Sequence, residues 1–108
     1  MSTVPTPAGT ELLEERVNRL LARWREETAF LSSSSAMDAH PAYQELIALG
    51  PAALPHLFRD LERTYDGHLS RALAEITGAN PVLPEERGRI RAIAERWLTW
   101  AREQGYRW

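Results

Sequence analysis

LEERVNRLLARWREETAFL, residues 13–31, carries Leu13, Val17, Leu20, Leu21, Trp24, Thr28 and Leu31 at steps of four, three, one, three, four and three. That spacing traces one stripe of an α-helix, and the charged residues between fall on the opposite side. Thr10 is placed to cap the helix, and Glu11, Glu14 and Glu15 lie where the helix dipole favours negative charge. Glu15 and Arg19 are spaced to pair on the outer face. A stripe of this kind must be buried against other elements, so the rest of the chain has to supply partners for it.

The four serines Ser32–Ser35 end the first helix, because serine hydroxyls compete for the local backbone. His40-Pro41 starts a short helix with Tyr43, Leu46, Ile47 and Leu49, stopped by Gly50. Pro51 opens a further helix with Leu54, Leu57, Phe58 and Leu61 on one face, and Pro55 predicts a bend or a reset start. Asp66-Gly67 marks a turn. A helix over 68–77 presents Leu69, Ala72, Leu73 and Ile76 and stops at Gly78. After a loop over 78–83, Pro84 starts the last helix, with Ile90, Ile93, Ala94, Trp97, Leu98 and Ala101 as its stripe and Gly105 at its end. No segment alternates with the period of two that a strand requires. The expected fold is all-α, a compact bundle of about five helices.

A chain of 108 residues fits one domain and buries roughly two-thirds of its unfolded surface. Residues 1–9 read as a flexible tail and 10–108 as a single helical domain. The absence of cysteine excludes disulfides, thiolate metal sites and cysteine nucleophiles. All 13 basic residues are arginine, so no side-chain amine is present for a Schiff base or a phosphate-loop lysine. Neither a signal peptide nor an apolar run long enough for a membrane span is read, so a cytoplasmic protein is expected.

Residues 48–78 resemble one HEAT-like repeat of the phycobilisome-lyase type. The carrying residues are Leu49-Gly50, Ala53-Leu54-Pro55, Leu57, Leu61, the Asp66 turn, Arg71-Ala72-Leu73 and Ile76. The resemblance implies two antiparallel helices, the first kinked by proline, with an aspartate in the turn. More of the chain is similar to small, functionally uncharacterised bacterial all-helical proteins. That likeness rests on His40-Pro41-Ala42-Tyr43-Gln44, Ile76-Thr77-Gly78 with Asn80-Pro81-Val82, then Glu95, Trp97-Leu98 and Gly105-Tyr106. In that group the second hairpin helix starts on aromatics, whereas His68-Leu69-Ser70-Arg71 stands here. The resemblance therefore implies a fold rather than an activity. One repeat cannot bury its apolar faces alone, so the first and last helices must cap it or a partner must.

No constellation amounts to an active site. Ser34, Asp38 and His40 hold the letters of a triad without the strand-to-helix elbow that presents a nucleophile, which favours loop and cap duty. His56 and Asp60 are four apart, a spacing that can hold a metal, but no second ligand pair accompanies them and His68 has no evident reason to join. Glu14-Glu15, Glu26-Glu27 and Glu85-Glu86 read as solvated faces and first-turn charges. Catalytic residues, metal ligands and cofactors are accordingly expected to be none.

Two surfaces remain. Trp24 and Trp97 lie within their stripes and read as core, whereas Trp100, Tyr106, Arg107 and Trp108 gather residue types enriched at binding hot spots. They also fit a plainer account, in which Trp100 covers the core edge and Tyr106 tacks down the terminus. The last helix is the most basic element, with 6 arginines against 4 acids over 84–108, and Arg87 and Arg91 are expected to share one of its sides. Arg87, Arg91 and Arg102 are the candidates for phosphate contact. The favoured expectation is a non-enzymatic protein-interaction module acting stoichiometrically on a protein partner, as an adaptor or an antitoxin-like chain. A homodimer, a nucleic-acid-binding protein using the last helix and an enzyme using the His40 loop are the alternatives; no membrane partner is expected.

Overall fold

A computed structural model describes residues 11–108. The proposed tail 1–9 and the Thr10 cap lie outside the described residues. Five helices of eight residues or more make the framework: α1 (Leu13–Glu27), α3 (Pro41–Leu49), α4 (Leu54–Thr64), α5 (Ser70–Thr77) and α6 (Ile90–Glu103), with the one-turn α2 (Ser34–Asp38) between the first two. Short 3-10 turns precede α4 (Gly50–Ala53) and α5 (Gly67–Leu69), and a third spans Pro84–Glu86. No strand occurs among the described residues, and the fold is an all-α bundle.

The stripe of α1 does what its spacing dictates: Val17, Leu20, Leu21 and Trp24 are buried and pack mainly against α3. The helix nevertheless ends at Glu27, one turn short of the stripe's length. Thr28 is the cause. Its N–H and its hydroxyl both bond back to the Trp24 carbonyl, at 3.0 and 2.6 Å, which closes the end and turns the chain outward. Leu31, expected on the stripe, is consequently 44% exposed. The start differs too. Glu15 reaches back to the Leu12 N–H at 3.2 Å, so Arg19 pairs with Glu11 instead of the expected Glu15.

The serine run is more ordered than its composition predicts, for Ser33 accepts from the Ala36 N–H and opens α2. Pro55 falls in the first turn of α4, where its missing N–H costs nothing, so the chain resets its helix there after a 3-10 turn. α6 begins at Ile90, not at Pro84. Glu86 folds back onto the Leu83 N–H (2.9 Å) and is gripped by Arg96, and Gly88 then takes a left-handed φ of 81° that interrupts the helix. Arg87 therefore precedes the helix and does not share a helical side with Arg91.

α3 lies against α1 and α5, while α6 packs on α4 and on the 67–69 turn. Each buried aromatic with a polar tip has that tip satisfied, as burial requires. Trp24 Nε1 donates to the Met37 carbonyl (3.0 Å) and Trp97 Nε1 to Ser70 Oγ (2.8 Å). The Tyr43 hydroxyl donates to the His68 carbonyl (2.8 Å) and accepts from the Ala72 N–H (2.9 Å). The first residues of α5 have no capping side chain of their own, so a tyrosine from α3 satisfies one of the orphan amides at that end. Burial raises the Tyr43 phenol well above its ordinary pKa, which keeps it neutral and able to donate.

Two substitutions test this packing. Tyr43→Phe leaves a buried N–H and a buried carbonyl without their partner and is expected to cost about 1–3 kcal/mol in denaturant unfolding. Gly67 is buried, and a Cβ there would collide with the Ile90 carbonyl oxygen, a backbone atom that cannot swing aside. Gly67→Ala should force the 67–69 turn away from α6 and lower stability by about 1–3 kcal/mol in the same measurement.

Candidate functional site

The site is built on a charge network that joins α1, α4 and the turn before α5. Asp60, 5% exposed, receives both arms of the Arg25 guanidinium at 3.0 and 2.7 Å, and Arg63 reaches it at 2.7 Å. The Arg25 Nε donates to Asp66 at 3.0 Å, and the guanidinium lies 5.7 Å from the centre of the Trp24 ring. Both oxygens of Asp60 are thus occupied by arginine. The His56–Asp60 spacing does not become a ligand pair, and no group of three or more metal-binding side chains forms among the described residues. His56 instead holds a buried Nδ1 without a protein partner, beside a small recess of about 140 Å³ that Asn18 and Arg63 also line.

Asp66 passes this order on to His68. Its Oδ1 accepts the His68 backbone N–H at 3.2 Å and lies 2.9 Å from His68 Nδ1. With the carboxylate as acceptor, Nδ1 is the donor of this contact. His68 lines a cleft of about 550 Å³ together with Ser34 and Asp38 of α2, Ser70 and Arg71 of α5, Asn80, and Arg87 from the segment before α6, over an apolar floor of Ala74, Ile90 and Ile93. A neighbouring hollow of about 460 Å³ shares Ser34, Asp38 and Arg71 with it.

Of the triad letters, Ser34 and Asp38 reach this cleft and His40 does not. His40 caps α3: its Nδ1 accepts from the Ala42 N–H at 3.0 Å and its Nε2 meets Glu27 at 2.7 Å. The hydrogen bond from His40 holds the Glu27 carboxyl below its usual range. His68 is the imidazole that joins Ser34 and Asp38 instead. Sequence reasoning missed it because Asp66-Gly67-His68 read only as a turn, although an aspartate two residues before a histidine is a spacing at which the carboxylate can bond both the backbone and the ring.

The acid pairs hold no carboxyl against another. Glu14 pairs with Arg59, Glu15 caps α1, Glu27 meets His40, and Glu86 meets Arg96, whose hydrogen bond to it keeps its carboxyl below the ordinary range. The C-terminal aromatics fold back. Tyr106 and Trp108 stand 5.4 and 5.3 Å from Phe58, Trp100 meets Trp97 edge-on at 5.3 Å, and Trp108 Nε1 donates to Glu62 at 3.2 Å. These three are half-buried against the core and Arg107 is exposed. Arg102 also bonds Glu62 and lies over the Trp108 ring, while Arg91 stacks on Tyr65 at 4.1 Å and pairs with Glu95 at 3.5 Å.

No family model, no curated protein and no solved structure matches the chain.

Asp38 is the side chain whose placement works against stability. It is half-buried, and loss of water raises its carboxyl above the usual aspartate range, offset only in part by Arg71 and His68. In the window between the ordinary value and the raised one, the folded chain binds more protons than the unfolded chain, so stability falls as pH rises through it. Asp38→Asn removes this penalty. The variant is expected to melt at the parental temperature or above it at pH 7, with the difference closing below the ordinary aspartate range, as thermal unfolding across pH would record.

Proposed function

We propose that the chain is a protein-interaction module that binds a protein partner stoichiometrically, in the cytoplasm, in the manner of an adaptor or an antitoxin. The observation that carries this reading is Phe30, which is 95% exposed with the exposed Leu31 beside it. Burying a phenylalanine is worth about 1.5–3 kcal/mol, and folding of this chain forgoes that gain. The turn that holds the two residues out is fixed by Thr28 on the Trp24 carbonyl, so the pair is presented rather than frayed.

Trp100, Tyr106, Arg107 and Trp108 form a second, lesser part of this surface, since the three aromatics already spend much of their area on Phe58 and Trp97. The HEAT-like reading of 48–78 is retained for Pro55 at the start of α4 and Asp66 in the turn, although α5 has α3 as its chief neighbour. The nucleic-acid reading through Arg87, Arg91 and Arg102 is weaker. Two of those three are already engaged with Glu95 and Glu62.

A photo-crosslinking amino acid in place of Phe30, expressed in the native host, is expected to give one discrete adduct heavier than twice the chain. The same residue at the exposed Arg59 should give none. An adduct of two chains would replace the partner by a second copy, and absence of any adduct at position 30 would remove the proposal.

A further inference from the structure

Of the charged side chains that line the cleft, one is neutralised in place. Arg71 is held by Glu75 at 2.7 Å. Two charges of opposite sign on its walls are not. Asp38 on α2 and Arg87 before α6 both line the cleft, and neither forms an ion pair within 4 Å among the described residues. The other carboxylates without an ion pair, Glu15, Glu26, Glu85 and Glu103, are exposed, as is Arg87 itself, so solvation accounts for them. Asp38 is different, being partly withdrawn from water at a cost that Arg71 and His68 offset only in part.

We propose that this cleft binds a small zwitterion of the free amino-acid class, its ammonium group on the Asp38 carboxylate, its carboxylate on the Arg87 guanidinium and its aliphatic part over Ile90 and Ile93. The two charges come from separate elements and are not paired with each other, which leaves both open to a molecule carrying the complementary pair. A guanidinium presents the forked donors that a carboxylate accepts. The volume, about 550 Å³, falls within the range of small-molecule sites, and the floor gives an aliphatic side chain somewhere dry to rest. The site is independent of the protein-binding reading, since neither Phe30 nor Leu31 lines it.

Titration of the isotopically labelled full chain with L-leucine, followed by amide chemical shifts, tests this. Saturable shifts are expected at Asp38, His68, Arg87 and Ile90, with a Kd of about 1 mM or tighter. Acetate and butylamine, each carrying half of the charge pair, should bind about tenfold more weakly, and so should leucine to Arg87→Ala and to Asp38→Asn. Thermal unfolding of the two variants checks that both remain folded; Asp38→Asn is expected to stay at least as stable as the parent, which separates loss of a ligand contact from loss of structure. Absence of saturable shifts with leucine, binding of acetate or butylamine as tight as that of leucine, or unchanged affinity in both folded variants would each overturn the assignment.

Discussion

The two-armed contact of Arg25 on Asp60 is the constraint from which the rest of the arrangement follows. A carboxylate buried to this degree has a large desolvation cost that only close, geometrically matched donors offset. Arg25 meets that demand from α1, which fixes the rotation of α1 against α4. Its remaining nitrogen then holds Asp66 and so fixes where the chain turns after α4. A pair of this kind contributes less to net stability than an apolar replacement of similar shape can, and its value lies in excluding other arrangements.

Asp66 carries the same order one step further. Its oxygens are shared between Arg25, the His68 amide and the His68 ring, so a single turn residue connects the interior charge to an imidazole on the wall of a cleft. Tyr43 secures the other side of that turn by donating to the His68 carbonyl and accepting from the Ala72 amide. Gly67 lets the turn lie against Ile90 with no room for a Cβ. Three short-range requirements therefore meet at residues 66–72, and the cleft exists where they meet.

Which parts of this were legible beforehand follows from what kind of information each part needs. Periodicity alone places Val17, Leu20, Leu21 and Trp24 in the core, and proline and glycine set the bounds of α3 and α5, because those signals are local. The end of α1 was not legible, since Thr28 continues the apolar rhythm while its hydroxyl closes the helix. The start of α6 was hidden by Glu86, which looks like a first-turn acid but folds back as a clamp for Arg96. The cleft was not legible at all. Asp38, His68 and Arg87 are far apart in sequence, and their convergence depends on α5 settling against α3, a long-range outcome that no spacing rule encodes.

The distribution of satisfied and unsatisfied groups then separates structure from function. The network around Arg25 and the bonds to Tyr43, Trp24 and Trp97 leave their polar atoms partnered, as groups selected for folding should be. Phe30 and Asp38 break the pattern in opposite ways, one an apolar ring left in water and the other a carboxylate partly removed from it. Each forgoes stability at a position where the backbone is well held, Phe30 by the Thr28 turn and Asp38 by the short helix that Ser33 caps. Local rules broken on a rigid frame mark positions where binding can recover free energy, because the missing partner for each can be supplied from outside the chain. On the readings proposed above the two sites take different partners, a protein surface for Phe30 and a small charged molecule for Asp38, and the fold places both beside the serine-rich link that joins α1 to α3.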